Sequence, residues 1–477
     1  MDANGALIRA GKSSQKTSLS QVALKAALDR SDTSPKTGLR DLPVELVQAI
    51  IRGVAASDSA GDAAGGLRAI MLSNKFLKGA VLGEQSVKEH YEFLQPLIGA
   101  FNALKPQLAI HQINSQMLVL MGPKQRQGQV TAILDLPNSW DKALAIAGLG
   151  AGLAALEGSQ KQALVTAALG LVNGLHKAHA IAGLGAGLTA LERPQRQALV
   201  TAALGLADGW HKAQAIAGLG AGLTALEEPQ REALVTAALG LDKGPKGLAI
   251  AGLGAGLGAI ELPQQEALVT AAFGLPDSWE KAQAIAGLGA GLTALEESQQ
   301  EALVTTALGL AAGFQKARAI AGLGAGLEAL ERRQQEALVT AALGLDIDWD
   351  KAQAIAGLGA GLTALEQPKQ QELVTAALGL AGGWDKAQVI ASLGAGLTAL
   401  ERSQQEALVT AVLSLTYEKD KALAIAGLSA GLTALERPQQ QALVMAALGL
   451  ADDRYKAEAI AGLVNGFQAS RVRGYLR

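Results

Sequence analysis

From Lys142 onward the chain repeats itself. The stretch KALAIAGLGAGLAALEGSQKQALVTAALGLVNGLH is followed by close copies almost to the C-terminus. The equivalent lysines are Lys142, Lys177, Lys212, Lys246, Lys281, Lys316, Lys351, Lys386, Lys421 and Lys456, a step of 35 residues interrupted once by a step of 34. A constant period of this size leaves little freedom. Each unit is one supersecondary element that buries its apolar face only against its neighbours, so the chain must fold as a stacked array. In such an array function resides in surfaces and in the segments that do not repeat.

Within one unit, Ile146, Leu149, Leu153 and Leu156 are spaced as one face of a helix. In the second half Leu164, Ala168 and Leu171 line one side, and Val165 and Leu169 widen the stripe. Between the halves the copies read Glu-Gly-Ser-Gln, Glu-Arg-Pro-Gln or Glu-Glu-Ser-Gln. Proline suits a first helical turn, and Ser298 with Glu301, or Ser403 with Glu406, spells a capping box, so a new helix begins there. The unit is a helical hairpin, and the fold class is all-α: a right-handed α-solenoid of about ten hairpins.

Three glycines in five residues, Gly148, Gly150 and Gly152, weaken the first helix by roughly 1 kcal/mol each relative to alanine. Close packing between neighbouring helices is the compensation expected, with Gly148 and Gly152 on one side. A phosphate-binding loop is excluded, because the spacing is G-x-G-x-G and no strand precedes it. At the array's edge, residues 105–136 keep Ala109-Ile110 and Val130-Thr131-Ala132 but lose the glycines, as a degenerate capping repeat does. At the other end AEAIAGLVNGFQAS is a lone first helix whose Phe467 seals the last layer. With helices ~8–10 Å apart, ten layers predict a curved rod on the order of 100 Å long.

Composition removes several function classes. A net charge of -2 gives no reason to expect nucleic acid, and the basic residues cluster only in a short tail at Arg471, Arg473 and Arg477. The absence of cysteine excludes disulfides, thiol catalysis and Cys-ligated metal. Apolar runs such as AIAGLGAGLTAL last about a dozen residues between Lys and Glu, short of the roughly 20 that span a bilayer. The N-terminus lacks the apolar core of a Sec signal. No nucleophile, base and orienting group stand out together, and Glu89, His90 and Tyr91 outside the array have no visible partners, so neither an enzyme nor a cofactor is expected.

All five tryptophans, Trp140, Trp210, Trp279, Trp349 and Trp384, stand two residues before the repeat lysine. Phe314 and Leu175 share the column, and Gly244, Lys419 and Arg454 break it. A hydrophobic staple before the helix cap explains both the Trp and the Asp that follows it at Asp141, Asp350 and Asp385. The alternative is an aromatic rim that grips a target. His176, His179 and His211 have spacing that could hold a metal, but equivalent positions elsewhere carry Asp, Glu or Gln, so surface variation is expected instead. The Glu column from Glu157, Glu192 and Glu227 onward lies at the opposite end of the first helix from the Lys column, which marks both as architecture. Specificity should then come from the inter-repeat turns, such as Leu136 to Ser139, Asp346 to Asp348 and Thr416 to Lys419.

The non-repeating part holds a second signal. Residues 39–81 contain Leu42, Leu46 and Ile50 four apart after Pro43, then a loop rich in small residues, then a helix with Leu67, Ile70 and Met71 before Leu72-Ser73-Asn74-Lys75-Phe76. This is a small helical module, too poor in apolar residues to be very stable unaided. It resembles an F-box, matching Leu-Pro-x-Glu-Leu-x-x-x-Ile at Leu42, Pro43, Glu45, Leu46 and Ile50, and the later Ser-x-Lys element with its aromatic at Ser73, Lys75 and Phe76. The resemblance implies that Leu42, Pro43, Glu45, Leu46, Ile50, Leu72 and Phe76 bind a Skp-type adaptor of a cullin ubiquitin ligase, while the rest of the chain recruits a target protein.

The Ala/Gly-rich repeats suggest a bacterial source, and bacteria lack that ligase machinery, so the chain is similar to an effector secreted by a type III system into the host cytoplasm. The array resembles HEAT and TPR solenoids in layout only. The expected organisation is a disordered segment over 1–37 that serves as secretion signal, an F-box-like module over 38–82, a helical connector over 83–104, the capping repeat over 105–136, the solenoid over 137–469 and a basic tail over 470–477. The expected function is an F-box-type adaptor linking a Skp/cullin ligase to a target held by the array. The alternative is an interaction scaffold with no ubiquitin link.

Overall fold

The computed structural model describes residues 85–118 and 120–475. It separates into two units, one made of residues 1–106, 119–125 and 468–477 and the other of residues 107–118 and 126–467. In the first unit a helix spans Gln85–Leu104, with Leu94, Leu97, Ile98 and Phe101 buried at helical spacing. Asn102 on this helix accepts a hydrogen bond from Gln125 Nε2 at 2.9 Å. The candidate adaptor-binding residues Leu42 to Phe76 lie outside the described residues.

The second unit is an all-α solenoid. Its first helices span Trp140–Leu149, Gly174–Gly185, Gly209–Gly220, Lys243–Gly254, Trp279–Gly289, Gly313–Leu323, Asp348–Ala360, Gly383–Leu393, Glu418–Leu428 and Asp453–Tyr475, which we number layers 1 to 10. The second helices of layers 1 to 9 span Gly158–Leu169, Arg193–Leu204, Glu228–Gly240, Leu262–Phe273, Glu297–Gly309, Arg332–Leu343, Gln367–Gly379, Arg402–Ser414 and Arg437–Leu448. Among the described residues there is no strand, and no helix is long and apolar enough to cross a membrane. Ahead of layer 1, the first-helix position is taken by a 3-10 turn at Ile110–Gln112 and a single helical turn at Ser115–Leu118. The helix Pro123–Asp135 fills the second-helix position there.

Each hairpin is closed by glutamine. The second helix begins at the residue after the column Glu, whose backbone N–H donates to the side chain of the Gln three positions on: Glu157 to Gln160 at 3.0 Å, Glu192 to Gln195 at 2.9 Å, Glu296 to Gln299 at 3.2 Å and Glu401 to Gln404 at 2.9 Å. The capping pair is therefore Glu with Gln, not Ser298 with Glu301 or Ser403 with Glu406, since both serines already lie inside the helix. One residue further on, a second glutamine column reaches back into the preceding 3-10 turn. Gln265 Nε2 donates to the carbonyls of Leu257 and Ile260 at 3.0 and 2.7 Å, and Gln370 and Gln405 repeat the pattern. The Leu257, Leu362 and Leu397 carbonyls also accept from the backbone N–H three residues on, so the glutamine adds a second donor there and ties the turn to the helix that follows.

The predicted apolar columns form the core. Ile146, Leu149, Leu153, Leu164 and Ala168 and their equivalents are fully buried. The first helix is shorter than its hydrophobic pattern, however. In layer 1 it gives way at Gly150 to a 3-10 segment ending at Ala155, and in layer 2 Gly187 leaves the helix at φ −111° and ψ 16°. The glycines cause the break and also put it to use. A Cβ on Gly183 would fall 2.2 Å from Ala147 Cα, and one on Gly187 would fall 2.1 Å from Gly150 O, both in the preceding layer. Gly185 faces forward, where a Cβ would lie 2.1 Å from Gly218 O in the next layer. The same contacts recur at Gly220, Gly254, Gly289, Gly324 and Gly394, so first helices meet backbone to backbone.

Second helices are held apart by long side chains. Gln195 Nε2 reaches Gln162 Oε1 at 2.8 Å, Arg193 reaches Glu227 at 2.9 Å, Gln367 reaches Glu401 at 2.6 Å and Arg402 reaches Glu436 at 2.7 Å. Between the second helices of layers 6 and 7 an open groove remains, lined by Leu343, Pro368, Gln371, Glu372 and Thr375. Tight first helices and spread second helices make every layer a wedge, so the first-helix row lies on the inside of the curve.

Carried through all layers, this curvature brings the array back on itself. Asn465 in layer 10 donates from Nδ2 to the backbone carbonyl of Gln116, in the turn ahead of layer 1, at 3.3 Å. Val464 and Ala461 on the same helix are fully buried. The expected curved rod on the order of 100 Å long is thus not what forms, since Asn465 meets Gln116. The forward glycine of layers 1 to 8 is replaced by Ser429 in layer 9 and by Val464 in layer 10, and Phe467 is 9% exposed.

Two predictions follow from this geometry. Gly254→Ala, whose Cβ would sit 2.1 Å from Gly287 O, should lose about 1–3 kcal/mol in urea unfolding. Gly240→Ala, at an exposed helix end with nothing within 4 Å, should be neutral or gain up to ~1 kcal/mol. Because the chain has no cysteine, spin labels at Gln116→Cys and Glu458→Cys report the end-to-end distance cleanly. The expected separation is far below the ~90 Å that ten layers of about 9 Å would set between the ends of an open rod.

A candidate binding surface on the inner helix row

Along each first helix, one stripe faces away from the second row. In layer 3 it runs Trp210, Gln214, Ala217 and Ala221, at offsets of four, seven and eleven residues. Trp210 and Ala221 are exposed, and Gln214 and Ala217 are half-buried. Over the layers this stripe gives a largely aromatic rim, a band that is polar except at Leu144, Leu248 and Leu423, and a floor of alanine on the inner side of the curve.

The tryptophans do not staple the helix from outside. Trp140 and Trp279 are the first residues of their helices, and Trp210, Trp349 and Trp384 stand in the first turn. The cap precedes them: Asp208 Oδ1 accepts from Trp210 N–H at 2.9 Å and from His211 N–H at 3.0 Å, and Asn173 does the same in layer 2. Asp141, Asp350 and Asp385 are first-turn residues after the cap. Inside the turn a Trp side chain is presented outward, and all five are between 39% and 52% exposed. Leu175 and Phe314 continue the exposed rim.

Neighbouring layers decorate the rim. His176 and His179 pack against Trp140, with ring centroids 5.5 and 4.8 Å away. Burial pushes the His179 imidazole below its usual range, and Gln214 Nε2 is 3.2 Å from its Nδ1. Among the described residues no group of three His, Cys, Asp or Glu side chains could hold a metal ion. Trp279 stacks on Phe314 at 6.3 Å with the Arg318 guanidinium 5.4 Å from its ring. Lys419, a break in the aromatic column by sequence, places its ammonium 4.4 Å from the Trp384 ring. No aromatic or charge pattern within one repeat indicates this, because the partner stands one layer away.

Two carboxylates on the same column are buried. Asp350 and Asp420 are 3% and 6% exposed. Asp350 presses on Gly313 and Asp420 on Gly383, at the start of the preceding layer's first helix, where neither helix has a side-chain cap. Burial pushes both carboxyls above the usual range. Glu418 goes the other way, since it accepts from Ala451 and Asp452 N–H, each at 2.8 Å, and these bonds hold its carboxyl below the usual range.

No known family's sequence pattern matches the chain, nor does any curated protein sequence. Among solved structures the chain is similar to an engineered protein from a structural genomics consortium. The identity is 17%, the coverage 74% of this chain and 99% of that one, and the TM-score 0.26, which leaves the fold to rest on this chain's own residues. Those residues define an all-α repeat scaffold whose inner row carries an exposed aromatic rim.

The raised carboxyl of Asp350 has a defined sign. A group whose proton is held more tightly in the folded chain than in the unfolded one loses stability as pH rises through the folded value. Asp350→Asn should therefore melt at a higher temperature than the parent at pH 7. The gap should close as pH falls towards 4, as read by circular dichroism.

Proposed function

We propose that the protein is a non-enzymatic interaction scaffold that holds a target protein on the inner face of its helical array. The observation that carries this reading is the row of exposed rim aromatics, Trp140, Trp210, Trp279, Phe314, Trp349 and Trp384, on a rigid frame. Aromatics half-open to solvent are the side chains around which binding energy concentrates, and a fixed backbone lowers the ordering cost of binding. The alanine floor beside them lets a partner backbone approach closely.

A finer form of the proposal makes the scaffold an adaptor. Leu42, Pro43, Glu45, Leu46, Ile50, Leu72 and Phe76 support it by their F-box-like order: they would engage a Skp-type protein and its cullin ligase while the array presents the target. The site of action in that form is the host cytoplasm, after secretion from a bacterium. The sequence of residues 39–81 is what supports this form.

Affinity capture from a eukaryotic lysate tests the two arms separately. Partners recovered by the parent but lost with Trp210→Ala, Trp349→Ala and Trp384→Ala combined are expected to be targets of the array. Identical recovery by that triple variant overturns the scaffold reading. Skp and cullin recovered by the parent and lost with Leu42→Ala plus Pro43→Ala support the adaptor form, and their absence from the parent capture overturns it.

A further inference from the structure

The rim is not uniform around the array, and the non-uniformity has a chemical direction. In layers 7 to 9, Trp349 and Trp384 stand in adjacent layers, with Tyr417 72% exposed in the next turn. The turns that lead into these helices read Leu-Asp-Ile-Asp-Trp-Asp at 345–350, Gly-Trp-Asp at 383–385 and Thr-Tyr-Glu-Lys-Asp at 416–420. Asp346 and Asp348 are exposed beside Trp349, and Asp385 is half-buried beside Trp384. The corresponding turns of layers 2 and 6, Val-Asn-Gly-Leu-His and Ala-Ala-Gly-Phe-Gln, carry no carboxylate, and those of layers 1, 3 and 5 carry Asp141, Asp208 and Asp277 with Glu280, of which Asp208 caps its own helix and Asp277 pairs with Lys281. The column lysines Lys351 and Lys386 follow two residues after each Trp, about 200° further round the helix and so on its other side.

The molecule itself demonstrates what this column accepts. Lys419 Nζ lies 4.4 Å from the Trp384 ring, and the Arg318 guanidinium lies 5.4 Å from the Trp279 ring. Arg318 comes from the helix of the next layer, at the position that layer 8 fills with Gln388. Among the described residues no cation of the chain lies over Trp349, which is 48% exposed and flanked by carboxylates. An indole face in a carboxylate setting selects a cation, and most strongly the flat guanidinium.

Resting on the reading of the inner face as a binding surface, we propose that the Trp349–Trp384 sector takes an extended polypeptide segment bearing arginine or lysine side chains. One cation of the segment stacks on Trp349 beside Asp346 and Asp348, and its neighbour pairs with Asp385 in layer 8, where Lys419 already covers the Trp384 ring. Alternate side chains of an extended chain are about 7 Å apart, and every third about 10 Å, which brackets the ~8–10 Å spacing of packed helices. Basic residues two or three apart therefore fall in register with successive layers.

Fluorescence anisotropy with the full chain tests this, using a labelled twelve-residue peptide of alternating Arg and Gly and, as comparison, the same peptide with Glu for Arg and with Ser for Arg. The Arg peptide is expected to bind, and the other two not. Trp349→Ala should weaken it roughly 2- to 30-fold, the range of a single cation–aromatic contact. Asp346→Asn with Asp348→Asn should weaken it further and flatten its salt dependence, whereas Gly240→Ala, at an exposed end of a second helix, should leave it unchanged. Circular dichroism melts of each variant confirm that it is folded.

Equal binding of the Arg peptide to parent and Trp349→Ala overturns the proposal, because attraction to acidic turns alone does not need the indole. Binding of the Ser or Glu peptide that is lost with Trp349→Ala overturns the basic class while keeping the inner face as a binding surface. If no peptide of the three binds, the proposal fails, and the capture experiment above decides the broader reading independently.

Discussion

The array depends on helices approaching at the bare backbone. At the junctions between layers, a glycine stands where any Cβ would lie about 2 Å from a carbonyl oxygen or an Ala Cα of the neighbour, except between layers 7 and 8, where Ser392 replaces one glycine and faces Gly359. Glycine is a poor helix former, and three per repeat shorten the first helix and turn its end into a 3-10 segment. That local loss offsets itself between layers, since the same residues that weaken each helix allow the close contact that fixes it against the next. Stability here belongs to interfaces, as a quasi-one-dimensional array requires.

Curvature follows from the same contact. One row of helices touches backbone to backbone, and the other is bridged by Gln, Arg and Glu side chains such as the Gln195–Gln162 and Arg402–Glu436 pairs. The difference in spacing makes a wedge, and wedges of one sense accumulate. The return of Asn465 to Gln116 is the summed result of many small rotations. It explains why layer 10 departs from the repeat at Val464 and Asn465, where the helix meets the non-glycine turn ahead of layer 1 instead of another copy of itself.

What was legible in the sequence is what one repeat encodes. The period, the helical hairpin, the Ile and Leu columns of the core and the packing role of the glycines all follow from residues that are neighbours in sequence or on one helix face. Closure was not legible, because it depends on an angle per layer that no residue names. The Trp column was found but misassigned by one or two positions: caps at Ser139, Asn173 and Asp208 precede the aromatic, so a staple outside the helix became a side chain displayed from its first turn. Likewise the serine capping boxes yielded to Glu–Gln pairs one register away. By sequence Asp350 reads as a helix-cap acid following its Trp, and Asp420, in the same column, carries no reading. They are buried by the preceding layer, a contact about 35 residues distant in the chain.

Near-identical layers pose a recognition problem, since a partner sliding by one repeat meets almost the same surface. The frame varies little, Ser392 and Ser429 being its departures, as the Gly columns touch the backbone of neighbouring layers. Variation is therefore concentrated in the rim stripe and in the turns ahead of each first helix. There the differences are large in chemical terms: an indole held under His rings in layer 1, one under Arg318 in layer 5, one open among carboxylates in layer 7 and one under Lys419 in layer 8. Each distinct setting breaks the translational degeneracy of the rim at one layer. A partner that reads two adjacent settings is fixed in register along the whole array.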